Sequence, residues 1–243
     1  MLFIAAIFKV HWGSYTSDLA SALLKTLEFT AAGFAGAALL GLGVALLRLS
    51  PVRMLRLPAA IYTEVFKNVP LLAIIFLTYF GLPSAGVSLG IFEAGALSLI
   101  VFYAAYLSEI FRAAISGVHS GQQEAAQALG LGRLTTFTHV ILPQALRIAL
   151  PGTNTMLVDL LKSTSLLVTI SAAELMSEGQ LIASQTFRAL EVYAVIAAIY
   201  FALCYPLSQL LLWFERRIRA GIPLSPRRRR RVKAIQIALQ GVT

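Results

Sequence analysis

Charge is what this sequence has least of. Only 13% of its 243 residues are Asp, Glu, Lys or Arg, while 58% are hydrophobic and mean hydropathy is +0.79. A water-soluble domain carries about a quarter charged residues, so this chain has too little polar surface to cover a globule in water. Cysteine is almost missing. The single Cys204 excludes an intrachain disulfide, and its apolar run fits a small buried hydrophobe. Histidine is scarce too: none of His11, His119 and His139 has a Cys or His at ligand spacing, so a zinc-type site is not expected and His119 and His139 are read as surface or capping residues. The chain has no Gly-x-x-x-x-Gly-Lys-Ser/Thr stretch, hence no phosphate-cradling loop of its own. No triad or paired-carboxylate site stands out either, so chemistry on a substrate is not expected. The opening Met1–Phe8 has no basic residue before it and no small-residue cleavage pattern behind it. It is therefore expected to stay attached rather than to act as a secretory signal.

What is present is a series of apolar runs near 20 residues, the length that crosses about 30 Å of hydrocarbon at 1.5 Å per residue. Five spans are expected, at about 23–47, 59–80, 93–111, 149–171 and 192–213. In the first, Gly33, Ala37, Gly41 and Ala45 recur every fourth residue, a small face that lets another helix approach closely in lipid or a chance of Ala/Gly-rich composition. Pro51 and Pro58 are expected to break the helix after it. The second span holds Glu64, Lys67 and Pro70 and is expected to kink; the fifth is expected to kink at Pro206. Asp159 and Lys162 interrupt the fourth, each costing roughly 2.5–3.5 kcal/mol at a span centre. Three residues apart, they share a helix face and can pair.

The net charge of +9 is placed unevenly. Nine basic residues lie between Arg216 and Lys233, including the block Arg227–Arg231. A basic cluster just outside a span matches anionic lipid at the inner surface rather than nucleic acid. The 48–56 linker, the 112–147 loop and the 214–243 tail are all basic, whereas 82–92 has no charge and 172–190 has only Arg188 as a cation. With five spans, all basic segments fall on one side if the N-terminus is outside and the C-terminus inside.

The 112–147 loop carries the most specific words. Gln122 to Leu129 are good helix formers, and Gly130 and Gly132 are expected to stop the helix, since glycine accepts the left-handed capping geometry. Leu142-Pro143 is then expected to restart the chain into the fourth span. The pattern Glu124-Ala125-Ala126, Gly130, Leu142-Pro143 resembles the EAA loop of the permeases of binding-protein-dependent ABC importers, with Val140 where isoleucine is usual. Three further words resemble the polar amino acid branch of that family: Glu64 to Leu72, Tyr79 to Pro83, and Lys162-Ser163-Thr164-Ser165-Leu166, the last with Ser163 in place of aspartate. The resemblance covers about residues 20–220.

The resemblance implies an all-α polytopic fold of the type I importer class, in a bacterial inner membrane, working by alternating access. The short helix would be the coupling helix, with Glu124, Ala125, Ala126, Gly130, Leu142 and Pro143 engaging the ATPase. Implied partners are two ATPase subunits, which hold the ATP and Mg, a second permease subunit, identical or paralogous, and an external solute-binding protein. The solute would be a polar amino acid, or an opine or other amino-acid derivative. A secondary carrier would instead show repeated halves and need no such loop. Candidate pathway residues are Glu64, Asn154, Asp159, Lys162, Thr164 and Ser165. For the charged ones the alternative is structural pairing, and for Asn154, Thr164 and Ser165 it is hydrogen bonding between helices. Glu109 and Arg112 are expected to form an interfacial pair.

Overall fold

The computed structural model describes residues 10–220, so the Met1–Phe8 segment and the Arg227–Arg231 block lie outside the described residues. Among those residues every regular element is helical. Helix α1 spans Thr16–Leu49 and α2 spans Arg53–Asn68; Ser50-Pro51 separates them. Pro58, expected to break the chain, sits inside α2, where the one backbone hydrogen bond it forgoes is tolerated, as prolines are in membrane helices.

Two of the five expected spans are divided. After α2 the chain turns through 108° into α3, Leu71–Phe76, followed by a π turn and a 3-10 turn that end at Ala85. The cause is Pro70, which lacks an N–H and pushes the preceding residue out of the helical region. Val69 has ψ 132° and Pro70 has ψ 135°. Helix α4 spans Ile91–Ser116, and the short α5, Ser120–Ala128, follows it. A turn at Arg133–Thr136 and a π turn at Phe137–Ile141 then lead into α6, Leu142–Ser163. A 3-10 stretch to Ile170 extends α6; at Ser171 the backbone goes left-handed, with φ 56°. The chain bends 50° into α7, Leu175–Thr186. Helix α8, Ala189–Ala220, runs on through Pro206 without a break. Three helices are long and apolar enough to cross a membrane, and five spans result when each bent pair counts as one.

The tightest seam joins α1 to α4. Gly33, Ala37, Gly41 and Ala45 are all buried on it. A Cβ added at Gly41 would lie 3.0 Å from the Ala104 carbonyl and from Leu107 Cβ, so the small face exists because two backbones meet there. In lipid the apolar solvent gives helices no hydrophobic reason to associate, and close contact of this kind supplies dispersion energy instead. Phe29, Leu99, Tyr103, Leu107, Leu160 and Leu167 complete the core, with α3 contributing Leu71 and Ile75. A second cluster joins α7 to the start of α8 through Leu175, Ile182, Val192 and Ile196.

Candidate functional site

The sequence-predicted residues fall in two places. The first is α5, bounded as its residues dictate. His119 caps its start, its Nδ1 accepting the Gly121 N–H at 3.0 Å. Gly130 ends it at φ 74°, where a β-carbon would meet no atom but would strain the backbone. Gly132 plays no such part: its φ is −66°, and it stands at the start of the next helical turn. Ala126 is buried, while Glu124 and Ala125 are exposed. Among the described residues Glu124 forms no hydrogen bond or ion pair; it presents its carboxylate on a short helix capped by His119.

Leu142 opens α6, as expected, but the chain is already helical from Arg133 through a short turn and a π turn. The Leu142 N–H closes the π turn on the Phe137 carbonyl. Pro143, without an N–H, then fits the widened turn at the head of α6. A cleft of about 580 Å³ lies between α5, this turn and the ends of α1 and α4, lined by Gln123, Gln127, Arg133 and Phe137 among others. Nearby, Glu109 receives Arg112 from its own helix, as expected, and also Arg48 from α1, whose side chain is only 13% exposed. That third member, 61 residues away, carries no sequence signal. The ion pairs fasten α1 to α4 close to the root of α5.

The second place is a groove of about 370 Å³ between α6 and α8, lined by Asn154, Asp159, Lys162, Ser208 and Glu215. It gathers three of the six pathway candidates. Asp159 Oδ1 meets Lys162 Nζ at 3.4 Å, and Asp159 Oδ2 accepts the buried Tyr103 hydroxyl at 2.9 Å. Tyr103 also bonds Ser163 at 2.8 Å. Asn154 donates to the Leu211 carbonyl at 3.5 Å and so bridges α6 to α8. The side chains of Asp159 and Lys162 are 49% and 57% exposed.

The other three candidates lie elsewhere. Glu64 pairs with Lys67 at 3.4 Å on exposed α2. Thr164 is fully buried and donates to the Leu161 carbonyl, and Ser165 donates to the Lys162 carbonyl. Such back-bonding occupies their hydroxyl protons within the chain. Sequence reading missed Glu174, a wholly buried carboxylate between α6 and α7. Among the described residues no group of three His, Cys, Asp or Glu could hold a metal.

This arrangement of bent helices around an exposed capped helix recurs in known proteins. The solved structure described as "Crystal structure of an amino acid ABC transporter with histidines" superposes with a TM-score of 0.79 at 37% identity, covering 84% of this chain and 95% of that one. The "Glutamine transport system permease protein" of Escherichia coli (strain K12) is 36% identical over 196 residues, 80% of this chain and 90% of the relative. The "Probable glutamine ABC transporter permease protein" of Bacillus subtilis (strain 168) is 36% identical over 193 residues, 79% and 89% of the two chains. The inward-facing methionine transporter structures, at 18–19% identity, share the fold. A profile of one family matches residues 37–220, a stretch that holds both α5 and the α6–α8 groove. The chain therefore belongs to the binding-protein-dependent transport system inner membrane components.

Proposed function

We propose that this chain is the permease subunit of an ATP-driven importer for a polar amino acid. The observation that carries the reading is α5: a capped helix with Glu124 free on its exposed face, rooted in the α1–α4 seam by the Arg48–Glu109–Arg112 cluster. The helix is shaped to be gripped by a peripheral subunit, and a push on it passes straight into the two tightest-packed spans. The nucleotide chemistry belongs to that separate ATPase subunit, with its ATP and Mg, since this chain holds no phosphate loop. Relatives whose names specify amino-acid or glutamine transport support the solute class.

The groove supports a second permease subunit. A charged side chain at membrane depth faces a bundle interior or water, not hydrocarbon. Asp159 and Lys162 are about half exposed on this single chain, so their face is covered by a partner permease or lines the solute path between the two. ATP closure of the ATPase pair draws the two coupling helices together, the spans rock, and the path opens to the external binding protein. Each step requires ATP or solute to favour one conformation over the other. The basic segments support a cytoplasmic side for α5.

Glu124→Lys tests the reading. It inverts the charge at the docking face and touches no buried residue. Membrane insertion is expected to be unchanged, while co-purification with the ATPase and solute uptake are lost. Normal uptake and normal co-purification from this variant would refute the proposal.

A further inference from the structure

Glu174 is the one carboxylate that is 0% exposed, and the transport cycle outlined above gives it no task. Four donors hold it. Its Oε1 accepts the Ser177 N–H at 2.7 Å and the Ser177 hydroxyl at 3.0 Å; its Oε2 accepts the Met176 N–H and the Tyr200 hydroxyl, both at 2.9 Å. The first three make it the N-cap of α7, where a negative charge also meets the positive end of the helix dipole. The fourth comes from α8. The next residue completes the node, because the Leu175 N–H donates to Thr26 Oγ1 of α1 at 3.1 Å. Two adjacent buried positions thus tie α7 to its neighbours, Glu174 to α8 and Leu175 to α1.

Helix α7 is set off at both ends by its backbone. It lies between two non-glycine residues in the left-handed region, Ser171 at φ 56° and Phe187 at φ 55°. Such backbone is unfavourable for a non-glycine residue and persists only where surrounding structure enforces it. The apolar side chains of α7 join the α8 cluster rather than the main core. Beside its contact with α1, α7 forms one wall of a cleft of about 540 Å³, lined by Lys25, Ser171, Ser177, Glu178 and Gln180 among others. This cleft meets the N-terminal third of α1, whereas the coupling-helix cleft meets Leu49 at the other end of α1.

We propose that Glu174 is a positioning residue for transport: by holding the start of α7 to Tyr200, next to the Leu175–Thr26 bond, it sets how far the polar cleft stands open at the end of the bundle remote from α5. The buried node and the two left-handed residues act together. The backbone strain at Ser171 and Phe187 favours another setting of α7, and the hydrogen bonds at Glu174 hold the one seen. The proposal rests on the permease reading for its transport arm alone.

Tyr200→Phe is the cleanest probe, since it removes a single hydroxyl from the node and leaves the α7 cap intact. Hydrogen exchange on the full-length chain in lipid nanodiscs is expected to speed up roughly tenfold across 175–186, the scale of one hydrogen bond to a charged group, with α1 and α4 unchanged. Uptake by the assembled transporter is expected to show a raised KM for solute and a kcat within about twofold of the parent, as for a loss of binding rather than of a step in the cycle. Glu174→Gln should give the same pattern, and the double variant should be no worse than the stronger single one. Three results would each overturn the proposal: unchanged exchange over 175–186, exchange accelerated across all helices alike, or faster local exchange with KM unmoved. The exchange arm needs no ATPase, so it stands or falls separately from the Glu124→Lys result.

Discussion

Asp159 and Lys162 show how magnitudes assign a role to single residues. Their pairing at 3.4 Å with half-exposed side chains returns about 0.2–1 kcal/mol, as exposed pairs do. That is well short of the roughly 2.5–3.5 kcal/mol each charge costs at a span centre. The groove must therefore meet water or a polar partner surface. Asp159→Asn keeps an acceptor for the Tyr103 hydroxyl but leaves Lys162 without its counter-charge. We expect the preference among amino acids of different side-chain charge to shift roughly tenfold in competitive uptake assays, the scale of a charged hydrogen bond, with complex assembly intact. Loss of folding or of subunit pairing with preference unchanged would make the pair structural. Local pairs such as Asp159–Lys162 and Glu109–Arg112 were legible because helical spacing alone brings them together. Arg48 was not, because its partner lies 61 residues on. Glu174 lay in the 172–190 linker and was not singled out, since burial is a property of the assembled chain.

At the scale of elements, the α1–α4 seam was readable and the broken spans only half so. Small residues every fourth position announced a close helix approach, and that face is where α4 meets α1. Gly41→Val would place three carbons where 3.0 Å separates an added Cβ from the Ala104 carbonyl and from Leu107. We expect a loss of about 1–3 kcal/mol, read as a lower midpoint of unfolding in detergent, and an unchanged midpoint would mean the seam can part without cost. Pro70 signalled a kink, but a turn of 108° depends on where α3 finds its apolar partners in the core. Ser171 gave no sign at all, because nothing in a serine forecasts a left-handed residue. The Gly130 stop was plain from glycine chemistry. Gly132 and Pro58 show that the same residue types also occupy ordinary helical starts and interiors.

For the whole molecule, orientation follows from where the cations lie. If the basic segments face inward, a cysteine introduced as Gln127→Cys is expected to resist an impermeant maleimide in intact cells and to react once the membrane is permeabilised. Labelling in intact cells would put α5 on the wrong side and defeat the coupling role. Five spans were expected from the apolar runs and the placement of the cations, and five result when each bent pair counts as one. The pose of α7 and α8 was not foreseeable, because their cluster depends on contacts far along the chain. The seam between α1 and α4 also has a bearing on biosynthesis. Everything it needs is translated by Ser116, while α8, barely covered by the rest of the described residues, follows the other helices out of the ribosome. A nascent chain can thus close its firmest joint early and still emerge with one bare helix whose surroundings are settled last.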